Sequence, residues 1–401
     1  MSNDERFLED ITRLASIPNR GPATPGEKQA AEYVASRMTE LGLNPTIEPF
    51  HSIPHFPICW VIHSVLCIGA CALAFLHPFA AFAAALLLVF VTVSFVGDSS
   101  TRFYLIRRLL PGRESRHVYG AIKAKAEPKK VVYIAAHLDA GQMGFSLNPE
   151  KAEPTARFFK KHLGMQPPLL ALIFYVMILN TVAALLVGFL GVHLFTAALL
   201  LVTGAIHFIP IVIFVPHEFA RISPGANDNA AGVAVVLELA RRFKDRPLPN
   251  TEIRFLDDGS EETYMYGMAC FMEAHQHELD KKNTYFLVPE SCGVGTPRVV
   301  IGEGVSWIER HSPELCNLLL AAAKELGYHD VEPVTLRTGG TDMSPPTVRG
   351  FKATGIIAMN ENDYVPNYHW HGDLPEKVEI ETLRKVTAIF EAAIKKIDAE
   401  F

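Results

Sequence analysis

Two long stretches of the chain contain no Asp, Glu, Lys or Arg, and they constrain everything around them. Residues 57–97 are interrupted only by His77-Pro78, and residues 168–215 only between Gly188 and His193. Each divides into two segments of about 19–24 residues, the length a helix needs to cross a ~30 Å hydrocarbon layer. The breaks are too short to hold a domain, so each stretch reads as a helical hairpin that enters and leaves on one side. Four uncharged segments are hard to bury in a single soluble core. Segregation of this kind explains how a 401-residue chain can be 49% hydrophobic and still 20% charged.

The flanks set an orientation. Arg102, Arg107, Arg108, Arg113 and Arg116 follow the second segment, and Arg157, Lys160 and Lys161 precede the third, whereas the turns within the hairpins carry no Lys or Arg. The positive-inside rule then predicts an integral protein of the inner or plasma membrane, with its soluble part cytoplasmic. His63, His193 and His207 lie in the spans and are expected near the interface or bonded to a neighbouring helix. With no carboxylate, Lys or Arg in the spans, an ion-coupled transporter is excluded. A formal charge of −6, with no basic tract interleaved with aromatics, excludes a nucleic-acid partner. The six cysteines are scattered without a CxxC pair, so neither a disulfide framework nor a thiolate metal site is expected. The opening MSNDERFLEDITRLASIP lacks the apolar run of a signal peptide and reads as an amphipathic helix with Phe7, Leu8, Ile11 and Leu14 on one side.

Residues 1–56, 98–167 and 216–401 remain as one soluble domain, interrupted by the hairpins 57–97 and 168–215. PGEKQAAEYVASRMTELGL has helical spacing at Ala31, Val34, Met38 and Leu41. NPTIEPF, HVYGAIKAK, VVYIAAHLDA, TEIRFLDD and NTYFLVPES read as strands, AAGVAVVLELARRF as a helix, and residues 376–399 as a long final helix. Alternating strands and helices predict an α/β fold, a mostly parallel mixed sheet covered by helices on both faces. On such a sheet ligands gather beyond the carboxyl ends of the strands.

Those ends carry the chemistry. His137-Leu138-Asp139 follows VVYIAA, Glu261-Glu262 follows TEIRFLDDGS, and Glu290 follows NTYFLVP. Asp228 sits in Gly225-Ala-Asn-Asp228-Asn-Ala-Ala-Gly232, which opens a helix, and Thr341-Asp342 and Tyr368-His369-Trp370-His371-Gly372-Asp373 come late. Alone, Asp139 would cap a turn and Asp228 a helix. Together these positions converge on one pocket, where mixed imidazole and carboxylate donors suit zinc and a bridging carboxylate suits a metal pair ~3.5–4 Å apart.

In this order the motifs resemble those of the co-catalytic zinc peptidases of clan MH, a group of zinc aminopeptidases, glutamate carboxypeptidase-like enzymes and glutaminyl cyclases. The resemblance spans the soluble part, and the hairpins look like insertions into it. It implies two zinc ions per chain. His137 and Glu290 would hold one, Glu262 and His369 the other, and Asp228 would bridge them. It further implies Glu261 as general base toward a metal-bound water, Asp139 as the group orienting His137, and Tyr368 as a donor to the developing oxyanion. His369, four residues before Asp373, is preferred to His371 as ligand.

Two departures bear on activity. Glu290 stands where aminopeptidases of the group more often have Asp, and Glu261-Glu262 continues Thr-Tyr-Met-Tyr-Gly rather than x-Gly-Leu. The resemblance therefore implies a membrane-anchored exopeptidase, most simply an aminopeptidase. A carboxypeptidase, an N-acyl amino acid amidase, a glutaminyl cyclase and a non-catalytic membrane scaffold are the alternatives. Asp342, Arg337 and Arg349 are the candidate substrate-binding residues, with Lys352 beside them. The expected partners are the bilayer, a peptide or amide substrate that is apolar or membrane-derived, and a second protomer if the hairpins pair between chains.

Overall fold

The apolar runs assemble into a nine-stranded sheet, described here from a computed structural model covering residues 3–399. In chain order the strands are β1 (Thr46–Ser52), β2 (Arg113–Ile122), β3 (Lys130–His137), β4 (Thr251–Asp258), β5 (Thr284–Glu290), β6 (Thr296–Glu303), β7 (Glu309–Arg310), β8 (Glu332–Leu336) and β9 (Lys352–Met359). Their spatial order is β1-β2-β4-β3-β5-β9-β6-β7, with β8 beside β6. The central β4, β3, β5 and β9 are parallel, and β1, β2 and β6 join them antiparallel. β5 is buried at every position and β3 at all but one, as helices on both faces require.

Helices Asn3–Ala15, Pro25–Glu40, Gly232–Lys244, Pro313–Glu325 and Ile380–Ala399 contribute to the larger core. Helix Tyr266–His275 packs in a smaller core on Tyr133, Phe286 and Val288. Thr24 accepts from the Glu27 amide and Pro25 occupies the first turn, which fixes where the second helix begins. In the first helix Phe7, Ile11 and Leu14 are buried as expected, but Leu8 faces outward. Asp10 takes the inner place, accepting from Tyr33 Oη (2.7 Å) and Arg37 Nε (2.9 Å). The final helix begins at Ile380 rather than 376, because Pro375–Lys377 forms a separate 3-10 turn.

Among the described residues, four helical spans are long and apolar enough to cross a membrane. The first three are Phe56–Ala74, Pro78–Ser99 and Leu169–Leu190. The fourth, expected as one segment, consists of Leu194–Ile206 and Phe208–Glu218 meeting at His207. Pro210 has no N–H to continue the first ladder but fits the opening turn of a new helix. Small residues line the contacts: Ala70, Ala74, Ala81, Ala84 and Ala85 are buried, and a Cβ on Gly188 would stand 2.9 Å from the Phe82 ring. Such residues let apolar helices approach closely. Phe79, Leu86, Phe189 and Leu201 face outward from the same helices. His63 contacts Ser94 Oγ of the neighbouring helix (3.0 Å), whereas both ring nitrogens of the buried His207 lack a hydrogen-bond partner among the described residues.

The insertions are tied to the sheet close to its chemical end. Met143 N donates to Arg221 O and Ser223 N to Gly141 O, each at 2.8 Å, so the two limbs of the second insertion are joined just past His137-Leu138-Asp139. At the first insertion Asp98, in the last turn of Pro78–Ser99, receives Arg107 in a two-pronged pair (2.6 and 2.7 Å) that is completely buried. Arg107 also donates to the Thr263 carbonyl, two residues beyond Glu261. Helix Pro149–Leu163, not foreseen from the sequence, follows β3 and precedes the third span in chain order; Asn148 caps its start and Gly164, at φ +65°, its end.

Candidate metal centre

Parallel packing brings His137, Asp258 and Glu290 to the same edge of the sheet, because β3 and β4 end in register at His137 and Asp258. Asp228 reaches that edge from the turn before helix Gly232–Lys244. Gly225 has φ +64°, and a Cβ there would collide with Arg20 and Ala140. The asparagines of this segment bind it to β5. Asn229 Nδ2 donates to Pro289 O (3.1 Å), its Oδ1 accepts from Ser291 N (3.2 Å), and Asn227 Oδ1 accepts from Gly293 N (2.6 Å). The Asp228–Asn229 peptide is cis.

The side chains then pair off. His137 Nε2 lies 3.3 Å from Asp228 Oδ1 and 3.5 Å from Glu290 Oε1. His369 Nε2 lies 3.1 Å from Asp228 Oδ2 and 2.9 Å from Glu262 Oε2. The two Asp228 oxygens thus face two imidazoles, each with one further carboxylate. Donors on a tetrahedral zinc, ~2.0–2.1 Å from the ion, stand about 3.3 Å apart, so this spacing fits the metal. His369 Nε2, Asp228 Oδ2 and Glu262 Oε1 are buried without a hydrogen-bond partner among the described residues, which leaves their lone pairs free for a cation. His137, Asp228 and Glu262 by themselves offer donors within 4.8 Å of one another.

Electrostatics favour a cation as well. Burial pushes the Glu261 carboxyl well above the ordinary range, with Asp342, Glu262 and Glu290 adding to it. Burial also raises Glu290, to about 7. Burial works against a charged His369, yet Glu262 and Asp228 hold its pKa up near 10. Positive charge at the centre would relieve this crowding of acids.

Several supports lie beyond the expected set. His137 Nδ1 is nearer the backbone carbonyl of Asp139 (3.1 Å) than its carboxylate (3.7 Å). The Asp139 carboxylate instead accepts from the amides of Glu261 (3.1 Å) and Glu262 (3.0 Å), so it sets the turn carrying both glutamates. Asp373 does the same for the Asp228 segment, accepting from Asn227 N (2.7 Å) and Asp228 N (3.1 Å). Beneath them Arg20, almost wholly buried, donates to the carbonyls of Leu138 and Gly225 at 2.6 Å each. Gly141 permits the closest approach, since a Cβ there would meet the His369 ring at 2.4 Å.

Of the remaining expected residues, Tyr368 stacks on His369 (3.9 Å between centroids), and Asp342 is fully buried, its pKa raised to about 8 by burial. His371 is exposed and packs on Trp370, which leaves His369 alone at the cluster. Among the described residues, neither Arg337 nor Arg349 forms a hydrogen bond or ion pair with the cluster. The Arg337 amide bonds Gln166 (2.9 Å), and the Arg349 side chain donates to Pro345 O (2.9 Å) among Tyr104, Glu273 and Cys270. Lys352 pairs with Glu314 at 3.0 Å.

Glu27 supports a consequence for stability. It accepts from Ser260 N (2.8 Å) and Ser115 Oγ (2.7 Å) beneath the glutamate turn, and burial together with the Asp139 charge pushes its carboxyl up to about 8. Because the folded pKa exceeds the ordinary value, the stabilisation is complete at low pH and is lost as pH rises toward 8. Glu27→Gln can still accept from Ser260 N through its oxygen and donate from its amide nitrogen to Ser115 Oγ, and it removes the titration. The melting temperature of the chelated variant is therefore expected to gain on wild type between pH 5.5 and 8.5; a constant difference would contradict this.

A parallel-cored sheet with imidazoles and carboxylates at its strand ends is the zinc aminopeptidase fold. It superposes on the zinc aminopeptidase BSAP from Bacillus subtilis with a TM-score of 0.56 at 15% identity, covering 98% of this chain and 95% of that one. It also superposes on the Bacteroides thetaiotaomicron glutaminyl cyclase bound to N-acetylhistamine, with a TM-score of 0.55 at 15% identity, covering 98% and 97%. Residues 212–394 match the model of peptidase family M28. Aminopeptidase YwaD of Bacillus subtilis (strain 168) is 30% identical over 202 residues, 47% of this chain and 42% of the relative. The chain spans less than half the length of the curated relatives it matches.

Proposed function

We propose that the chain is a membrane-anchored metallo-exopeptidase that releases N-terminal residues from peptides, with two zinc ions held by His137 and Glu290, by Glu262 and His369, and by Asp228 between them. The observation that carries this reading is the division of the Asp228 oxygens between two imidazoles, each with its own second carboxylate. Zinc at these donors would supply the positive charge that lowers the pKa of water and polarises the scissile carbonyl. Glu261 takes the proton from the attacking water and returns it to the departing amine. Tyr368, held against His369, donates to the oxyanion. Asp139 and Asp373 act as positioning residues through the backbone amides they bind, and Asp342 lies behind the base.

Residues 57–97 and 168–215 serve as the membrane hairpins, and the remainder forms the catalytic domain on the cytoplasmic side. The proposed substrate is apolar: Tyr264, three residues beyond Glu261, packs at 5.2 Å from Trp60 and 6.2 Å from Phe56 of the first span.

The test is metal content together with hydrolysis of a small aminoacyl panel by the full chain in detergent. About two zinc ions per chain with release of apolar N-terminal residues is the expected result. Two ions without aminoacyl hydrolysis would move the activity to carboxypeptidase, cyclase or acyl-amide substrates, and no bound metal after zinc is supplied would overturn the reading.

A further inference from the structure

A cavity of about 460 Å3, with no residue of the metal cluster in its lining, lies beside the segment that leaves the first hairpin and is lined by Arg102, Phe103, Tyr104, Arg108, Glu273 and Arg349 among others. Its volume lies within the range of small-ligand sites. Three guanidinium groups converge on it, and their forked donors match phosphate oxygens better than any other cationic side chain. Arg349 donates to the Pro345 carbonyl and forms no ion pair among the described residues. Arg108 has only a loose, solvent-exposed contact with Glu273 at 3.7 Å. Arg102 is committed to Glu309 (2.6 Å) and lies over Trp307. The cavity therefore keeps a net positive charge even with Glu273 in its wall.

Tyr104 forms part of the cavity wall, with its hydroxyl buried. The surroundings indicate where the anion would come from. Helix Pro78–Ser99 ends three residues before Arg102, and Phe103, Leu105 and Leu109 are exposed along the same segment. Apolar side chains next to arginines at the end of a membrane span suit the boundary between headgroups and acyl chains.

We infer that this cavity binds the phosphate of an anionic phospholipid headgroup, with Arg108 and Arg349 as its donors. The site is separate from the metal centre and does not rest on the peptidase reading. It also assigns Arg349 to a lipid phosphate rather than to a substrate carboxylate.

The test is native mass spectrometry of the full chain in neutral detergent, offered equal amounts of phosphatidylglycerol and phosphatidylcholine. Wild type is expected to retain phosphatidylglycerol in preference. Arg108→Gln, an exposed and structurally mild change, should lower its occupancy about fivefold, the effect of one arginine near an anionic surface. Arg349→Gln should lower it as well, while Arg113→Gln outside the cavity should not. Equal retention of both lipids, or occupancy unchanged in both cavity variants, would overturn the inference. Displacement of phosphatidylglycerol by millimolar inorganic phosphate would overturn the lipid source and leave a site for soluble phosphate.

Discussion

Glu261→Gln is expected to reduce turnover by about 10²–10⁴-fold, the contribution of a positioned general base, while zinc content stays at the wild-type level. The two effects separate because Glu261 is buried beside the imidazoles, whereas their ion pairs go to Asp228, Glu262 and Glu290. The amide preserves volume and leaves the bonds from the Asp139 carboxylate to the backbone of the turn intact. Glu262→Gln should behave differently, losing metal as well as turnover, since its carboxylate faces His369 at 2.9 Å. Steady-state kinetics with metal analysis on both variants decides the matter. If Glu261→Gln lost its zinc, the residue would be a ligand; if it kept full activity, the proton would be moving elsewhere.

Arg107→Met should cost about 3–5 kcal/mol, the usual penalty for leaving one member of a buried ion pair behind. Asp98 would remain in the last turn of an apolar helix with only Trp60 Nε1 (3.2 Å) and the Cys59 thiol as donors. The Thr263 carbonyl would lose its partner too. Adding Asp98→Asn should restore much of the loss, because the asparagine can still accept from Trp60 while the isolated charge is gone. Unfolding of the two single variants and the double variant measures this coupling directly. A loss near the ~0.5 kcal/mol of a surface substitution would show that the pair is not structurally important. Because Arg107 reaches the turn beyond Glu261, turnover should fall together with stability in the single variant and recover less than stability in the double.

The fold and the cluster were legible for a physical reason. Strands buried on both faces are continuous apolar runs, and in β3 and β5 such a run stops at the residue that enters the site, His137 and Glu290. The supports were not legible, because they act through backbone groups distant in sequence: Arg20 on Leu138 and Gly225, Asp373 on Asn227 and Asp228. Asp139 was foreseen as a partner of His137, but which of its oxygens does what depends on the path of the Glu261-Glu262 turn. The bend at His207 was hidden because proline is tolerated in apolar spans.

The joined limbs at Gly141–Met143 and Arg221–Ser223 have a consequence for biogenesis. During synthesis His137 emerges before the third and fourth spans, and Asp228 only after them. Asp228 can meet His137 only once the intervening hairpin has folded back on itself. On the proposed reading, zinc loading would wait on bilayer insertion, and a chain that failed to insert its second hairpin would stay an inactive apoprotein.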